Sequence, residues 1–110
     1  MEPLKVYISG PLSDGGTLSR NTQWMNLSVA VDAFVKLAEH GFAPLCPHLT
    51  LIVECLHPGR IEHDQWLQID YPWLASADLV LRLPGTSAGA DREVREAQDR
   101  GIRVVYSVEE

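Results

Sequence analysis

The 110-residue sequence predicts a single α/β domain: a parallel sheet of the Rossmann-like or flavodoxin-like kind, flanked by helices. Three observations predict it. Four short apolar runs alternate with helical stretches in the order β-α-β-α-β-α-β, which gives parallel strands joined by crossovers. The first run is apolar on nearly every side chain, as in a strand buried on both faces. Gly10-Pro11 and Pro84-Gly85 each break a strand-like run sharply. This length suits one domain with a modest core, and the chain shows no internal repeat and no linker.

Residues 4–9 (LKVYIS) make the first strand, with all but Lys5 suited to burial. Residues 12–20 are a loop rich in Ser, Gly and Asp, longer than a simple strand-to-helix link. Such loops after the first strand of an α/β unit often touch ligand. Residues 21–40 carry the longest helical pattern, with Trp24, Leu27, Val31, Phe34, Val35 and Ala38 at steps of three and four. Gly41 suits the position just past a helix end. Residues 42–45 make a second strand, stopped by Pro47. Residues 47–61 fit a short helix or a lid-like loop equally. Residues 62–75 show helical spacing at Trp66, Ile69 and Trp73, and Pro72 is expected to shorten or kink that helix. Leu79 to Leu83 is the third strand. Thr86 and Ser87 are natural N-caps, and residues 90–100 read as an amphipathic helix with Ala90, Val94 and Ala97 inward. Gly101 caps it, and residues 102–106 (IRVVY) close the sheet.

Composition excludes some partners. The formal net charge is −6, with no basic cluster, so no nucleic-acid polymer is expected. A small anion held by a helix N-terminus and single arginines stays open. No apolar run nears the roughly 20 residues that span a bilayer, and no signal-peptide core follows MEPLK. Cys46 and Cys55 do not make a disulfide framework. A cytoplasmic protein is expected. The large apolar side chains Trp24, Trp66 and Trp73 exceed what a thin core needs, which predicts a homodimer or higher homo-oligomer with sites near the interface.

Candidate chemistry gathers on the strand–turn–helix of residues 77–97 (ADLVLRLPGTSAGADREVREA). Ligands of parallel sheets bind beyond the carboxyl ends of the strands. That edge holds Gly10 to Asn21, the loop after Leu45, and Pro84 to Glu93. Glu93, read on the first helical turn, is either a solvated partner of the helix dipole or a carboxylate able to attack a sugar carbon or stabilise an oxocarbenium ion. Asp78 is either a cap or a proton donor or acceptor at a leaving group; Asp70, one helix earlier, is a third carboxylate. Tyr7 points up a central strand toward the same edge, where its hydroxyl would orient Glu93. Ser87 is an N-cap whose hydroxyl, with nearby N–H groups, can also hold a phosphate. Gly89 lets backbone or ligand come close. The set Cys46, His48, Cys55, His57 and His63 has metal-ligand chemistry but not a usual zinc-knuckle spacing, so no metal is expected. The glycine turn is neither a Walker loop nor a dinucleotide fingerprint.

The segments Val6-Tyr7-Ile8-Ser9-Gly10-Pro11, Asp78-Leu79-Val80 and Pro84 through Glu93 resemble the nucleoside 2-deoxyribosyltransferase superfamily. The likeness is to its small phage and bacterial members, and also to its deoxynucleoside 5′-monophosphate N-glycosidases. It covers nearly the whole chain in element order, and the Ser-x-Gly-Ala-x-x-Glu turn is its strongest part. The resemblance implies that Glu93 is the nucleophile taking C1′ of the sugar, that Tyr7 orients it, and that Asp78 assists proton transfer to the leaving base. It implies that Ser87 contacts a 5′-phosphate, favouring a nucleotide over a nucleoside. Ser9, Gly10, Arg20, Asn21, Asp70, Gly85 and Gly89 complete the expected substrate site, with the Ser13 to Arg20 loop on the sugar–phosphate side. Two features depart from the family: no Asn matches the one that the transferases lend to a neighbouring subunit, and Asp14 sits in a first loop whose only cation is Arg20. Hydrolysis and base exchange both stay open, as do ribose and 2′-deoxyribose. The reaction needs charge stabilisation at C1′ and a proton for the base, so no cofactor is expected. The competing readings are a non-catalytic nucleotide-binding module and a glycohydrolase of NAD-like dinucleotides.

Overall fold

A computed structural model describes residues 2–14 and 16–108. It shows the expected α/β architecture. Strand β1 (Lys5–Ser9) leads to α1 (Arg20–Glu39), then β2 (Ala43–Leu45), a 3₁₀ turn (Pro47–Thr50) and α2 (Leu51–Leu56). After α3 (His63–Ala75) come β3 (Leu79–Arg82), α4 (Ala88–Asp99) and β4 (Arg103–Val105). The four strands are all parallel in the order β2-β1-β3-β4, so β1 and β3 are central. In register, Val6 stands beside Leu79 and Ser9 beside Arg82.

The alternation of side chains along β1 and β3 sorts the core into two layers. Val6, Ile8, Leu81 and Leu83 pack with Ala30, Ala33 and Leu37 of α1, joined by Cys46 and Val105. Tyr7 and Val80 face the other way, onto Leu74 of α3 and Ala97 of α4. Tyr7, Ile8, Leu74 and Val80 are fully buried, each worth about 1.5–3 kcal/mol of apolar transfer.

The helix ends follow local chemistry. The Ser19 side chain caps α1 by accepting from the Thr22 N–H. Both α1 and α4 close in a Schellman motif: the Phe42 N–H donates to the Leu37 carbonyl, and the Ile102 N–H to that of Ala97. Gly41 and Gly101 supply the positive φ that this motif requires.

Two expectations need correction. α4 starts at Ala88, because the Ser87 hydroxyl accepts the Ala90 N–H and caps the helix; Glu93 therefore sits on the second turn. α3 runs through Pro72 to Ala75 without being cut short, since the last turn is held down by fully buried Leu74. The helical spacing of Trp66, Ile69 and Trp73 falls on α3 as expected; Ile69 and Trp73 are exposed, and the core contact of α3 comes from Leu74. Among the described residues, no helix is long and apolar enough to cross a membrane.

Candidate functional site

Strands β1 and β3 both end at one edge of the sheet, and a cavity of about 430 Å³ opens there. That volume suits a small-molecule ligand. Five segments wall it: the loop after β1, the first turn of α1, the 3₁₀ turn with α2, one face of α3, and the first turns of α4. The α3 face is His63, Trp66, Leu67 and Asp70, residues at steps of three and four that share a helix side.

Glu93 lies at the cavity wall and is buried. Its carboxylate is held from beneath by β1. The Tyr7 hydroxyl donates to one carboxylate oxygen, and the Ser9 hydroxyl donates to the other at 2.8 Å. Tyr7 and Ser9 point the same way because they are two residues apart on a strand. Burial pushes the Glu93 carboxyl above its ordinary range, while the Tyr7 and Ser9 hydrogen bonds and the charge of Arg82 pull it back. Asp70 also lines the cavity, and burial, with the charge of Glu93 second, pushes its carboxyl up to about 7. The Tyr7 hydroxyl is pushed strongly upward, first by burial and then by Glu93, so it stays a proton donor.

Burial pushes the imidazole of His48 downward, and its Nε2 bonds the Gly10 carbonyl at 3.1 Å. With Nε2 as the donor, Nδ1 faces the Cys46 thiol at 3.7 Å as an acceptor. Burial raises that thiol. This pair braces the loop after β1 against the 3₁₀ turn. Among the described residues, no group of three or more His, Cys, Asp or Glu side chains is placed to share a metal ion.

The expected site residues divide in two. Tyr7, Ser9 and Glu93 are hydrogen-bonded together; Gly10, Arg20, Asp70, Ser87 and Gly89 line the cavity beside Glu93. Asp78 does not join them. It precedes β3 at the amino edge of the sheet, where its carboxylate accepts the Lys5 N–H at 2.8 Å. The length of a four-residue strand, roughly 13 Å, separates it from the carboxyl edge. Asn21 is exposed on the first turn of α1 and does not line the cavity. Gly85 turns its carbonyl to Arg82 at 3.0 Å and lines a second pocket with Arg95 and Tyr106, not the cavity that holds Glu93. Gly15 of the expected sugar-side loop lies outside the described residues.

Several lining residues were not singled out from the sequence as part of the substrate site. Gln23, His48, Thr50, Glu54, His63, Trp66 and Arg92 all line the cavity. The helical period on α3 would have grouped His63, Trp66 and Asp70 had Asp70, rather than Trp73, been taken as its reference.

A family model described as a domain of unknown function, DUF7768, matches residues 4–107. The chain belongs to that family. The match takes in β1 through β4, hence every element that walls the cavity. A comparison with curated proteins returns no match.

Proposed function

We propose that the protein is an N-glycosidase or deoxyribosyltransferase that cleaves the bond between base and sugar in a nucleoside 5′-monophosphate or a (deoxy)nucleoside. One observation carries the reading: a buried carboxylate, Glu93, is fixed by two hydroxyl donors at a cavity that also holds a second carboxyl, Asp70, with a raised pKa. Two carboxyl groups whose environments differ can divide into nucleophile and acid.

The mechanism follows from that division. Glu93, ionised, attacks C1′ and forms a glycosyl ester as the C1′–N bond breaks; the base leaves with the bonding electron pair. Asp70 holds its proton near neutral pH and delivers it to the departing base nitrogen. In this scheme Asp70 takes the proton-transfer role first expected of Asp78. Water or a second base then attacks C1′, passes its proton to the now ionised Asp70, and releases Glu93 as the C1′–O ester bond breaks. Ser87 and Gly89 at the start of α4, with Arg92 of α4 and Arg20 of α1 also lining the cavity, suit a 5′-phosphate. Trp66 and Leu67 offer the base an apolar wall. A free nucleotide substrate and two unpaired thiols, Cys46 and Cys55, suit the reducing cytoplasm.

The same reading includes self-association. Helices α1 and α2 expose Trp24, Met25, Val29, Ile52 and Leu56, more large apolar side chains than a lone small domain usually shows. A homodimer or higher assembly is expected by light scattering; a monomer at micromolar concentration refutes it.

The deciding experiment is base release. The protein is incubated with nucleosides, their 5′-monophosphates and NAD, with and without a free acceptor base, beside Glu93→Gln. Release from monophosphates or nucleosides that needs Glu93 supports the proposal, and the acceptor arm separates transfer from hydrolysis. Nicotinamide release alone points to a dinucleotide glycohydrolase. No release, with a monophosphate still raising the melting temperature, points to a binding module.

A further inference from the structure

A permanent charge closes an otherwise apolar strand. Arg82 ends the run Leu79-Val80-Leu81 and faces the same side as Val80, the side covered by α3 and α4. Its side chain is only 10% accessible. Burying a guanidinium is costly unless its donors are met. Here they are met at three places. The Leu83 carbonyl accepts from Nη1, and Nη2 donates to the Gly85 carbonyl and to the Asp91 carboxylate, each at 3.0 Å. Two acceptors belong to the turn and the third to the first turns of α4. One planar fork thus ties strand end, turn and helix together, which a lysine cannot reproduce.

The same arginine stands beside the Glu93 anchor. Arg82 pairs in register with Ser9, whose hydroxyl holds the carboxylate. The groups around Glu93 supply little other positive charge. β1 brings neutral Tyr7 and Ser9, and α3 brings Asp70, which repels it. The 3₁₀ turn brings His48, which burial keeps neutral. On α4 itself Asp91 is bound to Arg82; Arg92 there, Arg20 of α1 and His63 of α3 also line the cavity but are exposed, and α2 adds a further carboxylate, Glu54. Arg82 is the buried permanent cation among the described residues.

We propose that Arg82 is a positioning residue for Glu93, clamping the β3–α4 turn so that α4 presents the carboxylate to Tyr7 and Ser9, and serving as the buried counter-charge of that cluster. Its charge opposes the effect of burial on Glu93. Its catalytic consequence rests on Glu93 being the nucleophile; the clamp itself does not.

The test is a carbon-13 titration of the Glu93 carboxyl in the full-length protein, the signal being assigned by its loss in Glu93→Gln. Wild type is compared with Arg82→Met and Arg82→Lys, and amide exchange at Ala90 and Asp91 is followed in each. Arg82→Met is expected to raise the Glu93 midpoint by about one pH unit or more, a tenfold change in its ionisation. Arg82→Lys keeps the charge but not the fork. It is expected to hold the midpoint within a few tenths of a unit while exchange at Ala90 and Asp91 quickens at least about tenfold. A folded Arg82→Met with an unmoved midpoint overturns the counter-charge, and unchanged exchange in Arg82→Lys overturns the clamp. If Arg82→Met does not fold, the exchange in Arg82→Lys decides. A shifted midpoint together with no base release from any substrate refutes the glycosidase reading and leaves the clamp standing.

Discussion

Replacing Asp70 with Asn should make the protein more stable and less active, and the stability gain should depend on pH. The Asp70 carboxyl rises from an ordinary 3.8 to about 7 in the fold. A raised carboxyl pKa means that the folded state holds the proton more tightly than the unfolded chain. The stabilisation is complete below about pH 4 and is lost as pH rises through about 7. Above that, the fold carries an ionised carboxylate that burial and Glu93 both oppose. About three pH units correspond to ~4 kcal/mol. Asp70 is open to solvent on the cavity side, and screening roughly halves that figure, to ~2 kcal/mol. Asp70→Asn should therefore exceed wild type by ~2 kcal/mol at pH 8, on the order of 10 °C in melting temperature for a domain of this size. The gap should shrink to about a third of that at pH 5, where wild-type Asp70 is largely protonated in the fold. Urea unfolding of both proteins at pH 5, 6, 7 and 8 measures it. A variant no more stable than wild type at pH 8, or a gap that does not close with falling pH, refutes the placement of Asp70 in a desolvated site beside Glu93.

Other substitutions probe separate contacts. Tyr7→Phe removes one hydrogen bond to the Glu93 carboxylate; base release should fall by about 10- to 100-fold, and the acid limb of the kcat/KM profile should move to higher pH, because that bond lowers the Glu93 pKa. Gly10→Ala puts a Cβ 2.8 Å from Leu83 Cβ, where neither backbone can yield easily; calorimetry should show a loss of about 1–3 kcal/mol, and an unchanged melting temperature counts against that close approach. Ser87→Ala deletes the α4 cap and should cost about 1 kcal/mol. Calorimetric titration should also show it weakening a 5′-monophosphate more than the matching nucleoside; equal losses remove Ser87 from the phosphate side.

Much of the fold was legible because its elements carry strong local patterns. β1 and β3 are apolar runs ended by Gly10 and Pro84, and α1 has about five turns of spacing closed by Gly41. Residues 47–61 were not legible: a 3₁₀ turn and a six-residue helix are too short for a period to emerge. The α4 start was misplaced because the apolar spacing begins at Ala90, whereas the Ser87 cap sets the boundary.

The site was partly legible for the same reason. Parallel strands put Ser9 and the turn before Glu93 at one edge. That rule, applied consistently, also places Asp78 at the opposite edge, since it precedes its strand. Arg82 was hidden because an apolar run does not announce that its one charge is satisfied by the carbonyls that follow it. The cavity face of α3 was hidden because a helical period tells which residues share a side, not what that side meets.

Tyr7 belongs to two systems at once. Its ring is packed among Leu74, Val80 and Ala97, while its oxygen holds Glu93. β1 lies between β2 and β3, so neither edge can peel away without breaking sheet hydrogen bonds. The carboxylate is thus moored to a central strand rather than to a fraying rim, and central strands are expected to open only with the whole fold. Loss of the site on heating should track loss of the whole fold, with inactivation and unfolding curves superimposed and no folded but disarmed species between them.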